Sequence, residues 1–256
     1  MDDYRPAETS ALPRTGERTV PGVAAENYWF RRHEAAYAWL LPAVAGRVVL
    51  EVGCGEGYGT AMMAAQARKV IGVDYDHSAV AHAQARYRRP RFVRANLAAL
   101  PVRDARVDVL AGLQVIEHVW DHPQFVAECA RVVRPGGALL ISTPNRLTFS
   151  PGLDVPTNPF HTHEFTAAEL VALINANGFA VTSVLGLHAG PRLRGLDAAY
   201  GGSFAAAQLD LPPQGWPVEL ARDVASIRAE DFAVLGRQSA DIDTALDLIV
   251  LATPRG

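Results

Sequence analysis

Three sets of residues in this chain have the types and spacing to do chemistry. The densest is Glu51-Val-Gly53-Cys-Gly55-Glu-Gly57-Tyr-Gly59, which directly follows an apolar run. Glycines in such a place let the backbone turn tightly and let a ligand approach with no Cβ in the way. About 20 residues on, a second apolar run ends at Asp74, where a carboxylate can accept two hydrogen bonds from a ribose diol. Turn and carboxylate together point to a ligand that contains adenosine. A pyrophosphate turn needs G-x-G-x-x-G, but counting from Gly53 the third glycine position is held by Tyr58. Glu51 would repel a pyrophosphate and suits a ligand that carries an ammonium and a sulfonium. There is no Tyr-x-x-x-Lys pair for hydride transfer, since Tyr87 is followed four residues later by Arg91.

The other two sets are histidines. His118 follows Val115-Ile-Glu117, and His161-Thr-His163-Glu164 lies in the run NPFHTHEF. Imidazole titrates near neutrality, which suits a general base. His118, His161 and His163 are therefore the expected catalytic groups, against the plainer roles of bonding backbone or bracing a loop. His161, His163 and Glu164 are also metal-ligand types. The run is not on a fixed helix face, however, and further ligands are not evident, so no metal is expected. Cys54 reads as a small filler in the turn and Cys129 as a buried helix residue.

These groups need elements to hold them. Apolar runs at Arg47 to Val52, Lys69 to Asp74, Arg91 to Arg94, Val107 to Ala111, Ala138 to Ser142, Phe179 to Leu185 and Leu246 to Ala252 read as strands. Helical patterns cover Asn27 to Leu41 (ended by Pro42 and Gly46), Gly59 to Arg68, Asp76 or Ser78 to Tyr87, Pro123 to Val133, and Thr166 to Ala176 with a capping box at Thr166 and Glu169. Short apolar strands alternating with helices predict a doubly wound α/β fold, with a seven-stranded, mostly parallel sheet covered on both faces. A ligand then sits at the carboxyl ends of the strands, beside a topological switch point.

Three stretches fall outside that frame. Residues 1–22, rich in Pro, Gly and charge, predict a flexible arm. The aromatic-basic start of the first helix, with Tyr28, is a possible cover for the ligand. Residues 186–243 form a helical insert before the last strand. The insert is far longer than the usual connection of about 2–6 residues, which suggests a lid or acceptor-binding element. Asp154, Asp197, Tyr200 and Trp216 are groups of the kind that hold sugars. The ligand-binding domain is thus expected over 23–185 and 244–256.

Composition narrows the class. A formal net charge of -3 and a pI of about 6.2 give no general drive toward nucleic acid or an anionic membrane. The five-arginine run Arg86, Arg88, Arg89, Arg91 and Arg94 reads as a solvated surface. Two widely spaced cysteines make no disulfide framework. No apolar stretch approaches the roughly 20 residues needed to span a bilayer, and the start MDDYRPAETS has no basic region before an apolar run. A cytoplasmic protein is expected.

Taken together, EVGCGEG at Glu51–Gly57, VDYD at Val73–Asp76, ANLAALP at Ala95–Pro101, VDVLAGLQVIEH at Val107–His118 and RVVRPGG at Arg131–Gly137 resemble the class I S-adenosylmethionine-dependent methyltransferases. The resemblance implies S-adenosylmethionine as cofactor and S-adenosylhomocysteine as product. It implies that Gly53 and Gly55 pack on the cofactor and that Glu51 orients its amino group. Asp74 would hold the ribose diol, Tyr75 the adenine face, Asn96 with Leu97 the adenine edge, and Gln114 would line the site, with Tyr28 over it. Asn96 stands where the family often has Asp, and its side-chain oxygen can still accept. The runs TGERTVP…ENYWFRRH, STPNRLTFSPG, NPFHTHEF and GPRLRGLDA further resemble actinobacterial methyltransferases linked to methylglucose lipopolysaccharide, a cytoplasmic polymethylated polysaccharide. That implies a sugar-hydroxyl acceptor, either a small molecule or an oligosaccharide. The alternatives are a phenol, polyprenyl precursor or lipid acceptor, and a non-catalytic cofactor-binding protein.

Overall fold

The computed structural model describes residues 18–153 and 155–255. Eight strands form one sheet: β1 (Val48–Val52), β2 (Lys69–Asp74), β3 (Arg91–Arg94), β4 (Val107–Leu113), β5 (Val133–Pro144), β6 (Phe179–Ala189), β7 (Phe232–Gly236) and β8 (Asp247–Pro254). Their order is β3-β2-β1-β4-β5-β8-β6-β7. Neighbours from β3 through β5 pair in parallel, whereas β8 runs antiparallel between β5 and β6. The order reverses between β1 and β4, so a crevice opens at their carboxyl ends. The glycine turn and the segment Gln114–His118 both leave strands at that crevice.

Successive strand residues face opposite sides of the sheet. Leu50, Leu110 and Leu139 enter one apolar cluster, and their neighbours Val49, Val109 and Leu140 enter the other. Helices cover both faces: α1 (Asn27–Val44), α2 (Tyr58–Ala64), α3 (His77–Arg86), α4 (His122–Val132), α5 (Arg146–Phe149), α6 (Ala167–Ala176), α7 (Pro191–Ala199), α8 (Phe204–Leu209) and α9 (Val218–Ser226). Asp76 caps α3 by accepting from the Ser78 N–H, and the expected capping box opens α6.

Four expectations need correction. The sheet has eight strands, not seven. The additional one, β7, lies inside the insert and pairs antiparallel with β6 from Leu185↔Gly236 to Ala189↔Phe232. It is a short edge strand with most of its residues only half-buried, so it carries neither a clean alternation nor a long apolar run. Second, β6 continues to Ala189, past the expected insert boundary at 186. Third, α1 runs through Pro42 to Val44; a proline this close to the end removes one hydrogen bond from a helix about to stop. Fourth, residues 18–22 of the expected arm are tied down. Arg18 pairs with Asp76 at 2.7 Å and the Val20 N–H donates to Glu26. Residues 1–17 lie outside the described residues.

The insert docks on α1. The Asn27 side-chain amide donates to the Val224 and Ile227 carbonyls at 2.9 Å each. Arg32, buried, grips buried Asp247 of β8 through Nε at 2.7 Å and Nη2 at 2.5 Å. No helix among the described residues is long and apolar enough to cross a membrane.

Candidate active site

The glycine turn is built from backbone that other residues could not adopt easily. Gly53 and Gly55 have φ of +70° and +50°, in the left-handed region that disfavours a Cβ. A Cβ on Gly53 would lie 2.3 Å from Val115 Cγ2, so Val115, the second residue past β4, packs directly against the turn. A Cβ on Gly55 would meet nothing within 4 Å, which leaves open space in front of the turn. Asp74 is fixed beside it: the Gly55 N–H donates to Oδ2 at 2.8 Å and the Asp76 N–H to Oδ1 at 2.9 Å. Each carboxylate oxygen keeps a lone pair for a ligand hydroxyl. Tyr75 is 66% exposed, with the Arg94 guanidinium 5.7 Å from its ring centroid. Exposed Asn96 accepts the Ala98 N–H through Oδ1 at 2.9 Å, and Leu97 is half-buried beside it. Gln114 has φ +55° and is anchored to Ser142 of β5 by its N–H, at 2.9 Å, and by Nε2, at 3.2 Å. A non-glycine residue held there marks a strained position at the end of β4.

Two expected cofactor residues are buried. Glu51 is fully buried beneath the turn and accepts from the hydroxyls of Tyr37, at 2.6 Å, and Thr60. Burial pushes its carboxyl up to about 7, against the lowering effect of those two hydrogen bonds. Its carboxyl is thus held between α1 and α2 by Tyr37 and Thr60, with no exposed surface of its own. Tyr28 is also buried. Its ring packs on Trp29, Phe204 and Phe232, so the insert occupies the faces expected to cover the ligand. Tyr58 opens α2 instead: its hydroxyl is 2.9 Å from His33 Nδ1 and 3.2 Å from Thr19 Oγ1, and its ring contacts Phe30 and Tyr37.

Past β4 the structure gathers Glu117, His118 and His161, each offering a ligand atom within 4.8 Å of the others. The two imidazoles meet edge to face with centroids 4.9 Å apart. His118 Nδ1 donates to the Phe160 carbonyl at 3.0 Å, and His161 Nδ1 to Glu164 Oε1 at 2.8 Å. A carbonyl and a carboxylate only accept, so both rings carry a proton on Nδ1, and a neutral His118 ring leaves its Nε2 bare. Burial, with His161 alongside, lowers the His118 pKa to about 4, which keeps that ring neutral near pH 7. Glu117 is 1% exposed and accepts from Thr143 Oγ1 at 3.0 Å. Burial pushes its carboxyl up to about 8.

The sequence run is thereby split. Thr162 donates its N–H and hydroxyl to the Glu117 carbonyl and its hydroxyl also to the Val119 carbonyl. This pins the loop so that His161 joins His118, while His163 packs on His122 and Phe165. His163 is not part of the cluster, and Glu164 is a brace for His161. Glu117 was missed, although its adjacency to His118 in VIEH was the available signal. Of the four expected sugar-holding groups, Asp197 caps the Phe204 N–H, Tyr200 bonds Asp223, and Trp216 bonds the Leu211 carbonyl. Asp154 lies outside the described residues.

A switch-point crevice, a glycine cradle that a Cβ would fill at Gly55, a fixed ribose-type carboxylate and an exposed aromatic face suit an adenosine-bearing ligand. Comparison with known proteins agrees. Residues 50–141 match the family model for a methyltransferase domain. The chain is 54% identical over 254 residues to a probable S-adenosylmethionine-dependent methyltransferase of Mycolicibacterium smegmatis, covering 98% of this chain and 99% of that protein. It is 28% identical over 161 residues to the ubiquinone biosynthesis O-methyltransferase of Coxiella burnetii, covering 57% of this chain and 69% of that one. Among solved structures, a possible histamine N-methyltransferase from Thermotoga maritima shares the fold, with a TM-score of 0.61 at 18% identity over 89% of this chain and 93% of that one. The chain belongs to the class I S-adenosylmethionine-dependent methyltransferases. Its cofactor is S-adenosylmethionine.

Proposed function

We propose that this enzyme methylates a sugar hydroxyl of a polymethylated glucose polysaccharide in the cytoplasm. The observation that carries the reading is the pair of imidazoles, His118 and His161, gathered beside Glu117 past the end of β4. The bare Nε2 of His118, with the His161 ring alongside, can hold a hydroxyl through its proton and aim the oxygen lone pair. Trp120, two residues past His118, is 89% exposed, and an open indole face stacks well on the apolar face of a sugar ring.

When bound, S-adenosylmethionine supplies a methyl group on a sulfonium, which transfer converts to the thioether of S-adenosylhomocysteine. In this reading the turn at Gly53 and Gly55 receives its amino-acid portion, Asp74 accepts from the ribose diol, and Tyr75, Asn96 and Leu97 hold the adenine. Gln114 lines the passage to the acceptor. His118 and His161 orient the acceptor hydroxyl and ease the loss of its proton. His163 takes no part.

The test is product analysis after incubation with cofactor and a panel of α-linked glucan oligosaccharides, methyl glucosides, a catechol and a primary amine. The expected product is a methyl ether at one sugar position, located by mass spectrometry and NMR. Turnover of the catechol or the amine, with none on any sugar, overturns the sugar reading. A phenolic acceptor with an apolar tail is the second reading. It is favoured by the name of the Coxiella relative and by Leu147, Val155 and Phe160, which are 43%, 70% and 40% exposed in the loop that carries His161.

A further inference from the structure

We propose that Glu117, His118 and His161 hold one divalent cation, of the borderline type represented by Zn²⁺ or Mn²⁺, against which the acceptor oxygen is placed. This rests on the hydroxyl-acceptor reading and deepens it. Two imidazoles and one carboxylate are a donor set used for such ions with positions left open for substrate. Ligand atoms about 2.1 Å from one ion lie at most about 4.2 Å apart, and these three already lie within 4.8 Å of one another. A closing movement of under about 1 Å would complete the site.

The surroundings are arranged as those of a metal site are. Ligating histidines usually donate their second ring nitrogen to a carboxylate or a carbonyl, which fixes the tautomer and turns the bare nitrogen to the ion. His161 does this to Glu164 and His118 to the Phe160 carbonyl. The Thr143 hydroxyl on Glu117 Oε2 orients the carboxylate in the same way and leaves Oε1 available.

Glu117 and Glu164 are 1% and 2% exposed, and neither has an arginine or lysine ion pair among the described residues. Glu164 Oε2 has no hydrogen-bond partner at all. Buried carboxylates are ordinarily paired or near a metal; Glu164 has His161 as its partner, and Glu117 has the Thr143 hydroxyl alone among the described side chains. Arg18, whose charge reaches His118, is itself paired with Asp76. The cation would lower the pKa of the acceptor hydroxyl, whose proton leaves to solvent water as the oxygen forms its bond to the methyl carbon and the carbon–sulfur bond breaks toward sulfur.

The experiment uses the full chain, stripped with chelator and dialysed. Mn²⁺ binding is followed by electron paramagnetic resonance and Zn²⁺ binding by calorimetry. Wild type is compared with Glu117→Gln, His161→Ala and, as a control outside the cluster, His163→Ala. S-adenosylhomocysteine titration verifies that each variant is folded. The expected result is one ion per chain, bound at least tenfold more weakly in Glu117→Gln and His161→Ala and unchanged in His163→Ala. Methyl transfer should fall at least tenfold in chelator and return with the ion. Absence of stoichiometric binding by either ion, equal affinity in the cluster variants, or full activity of the stripped enzyme overturns the cation and leaves the hydroxyl reading standing. Stoichiometric binding at the cluster, with methylation only of an amine, would instead overturn the hydroxyl reading and the acceptor-oxygen role of the ion together.

Discussion

At the scale of single residues, the two glycines of the turn have different tasks. Gly53 is packed against Val115, whereas Gly55 faces open space. Gly53→Ala should lower stability by about 2 kcal/mol or more, because a positive φ and a 2.3 Å contact must both be relieved. Gly55→Ala meets only the backbone penalty of about 1–2 kcal/mol, yet it puts a methyl where the cofactor lies. Chemical denaturation and cofactor titration separate the two: the first variant loses stability foremost, and the second loses affinity at least tenfold in a folded protein. Glu51 adds a pH dependence. Its carboxyl titrates near 7 in the folded chain, against 4.5 ordinarily. The folded protein therefore retains a proton that the unfolded chain releases between those values. The stability from this group is full below about pH 4.5 and is lost as pH rises to about 7, by at most about 3 kcal/mol. Denaturation of wild type and Glu51→Gln at pH 4.5 to 7.5 should show the wild type losing ground relative to the variant as pH rises. Parallel curves would refute the buried acid. The place of Asp74, at the end of β2 beside the glycine turn, was legible in the sequence because strand end and residue type coincide. The burial of Glu51 was not, since the same acid can point above or below a turn.

At the scale of elements, the loop between β5 and α6 determines which histidine joins His118 and Glu117. Asn145 is buried, and its amide donates to the carbonyls of Ile242, Asp243 and Ala245. This fastens the start of that loop to the segment before β8, while Thr162 fastens its end to Glu117. His161 and His163 could not be told apart from sequence, because both side chains depend on these long-range bonds and not on a local period. The strands β1 to β5 were legible as short apolar runs, whereas β7 was hidden by its half-buried edge position. Further across the fold, Arg32 and Asp247 join α1 to β8 as a buried pair. Removing one partner of such a pair typically costs about 3–5 kcal/mol, because the other charge stays buried. Arg32→Met should show a loss of that size by denaturation, and Asp247→Asn in the same background should recover part of it. No loss in the single variant would mean that the pair is not buried in solution.

At the scale of the whole molecule, the order reversal between β1 and β4 divides the labour. In the proposed reading, residues after β1 and β2 receive the cofactor, and residues after β4 and β5 receive the acceptor. Both tasks then fall to the parallel strands, and the antiparallel strands with the insert brace α1 and the loop that delivers His161. This division predicts that the two tasks can be damaged separately. The most direct measurement combines S-adenosylhomocysteine titration with single-turnover methyl transfer for the His118→Ala, His161→Ala double variant. Cofactor affinity should stay within about twofold of wild type while the transfer rate falls at least a hundredfold. Transfer at the wild-type rate, with cofactor bound as tightly, would contradict the assignment of the acceptor chemistry to these two imidazoles.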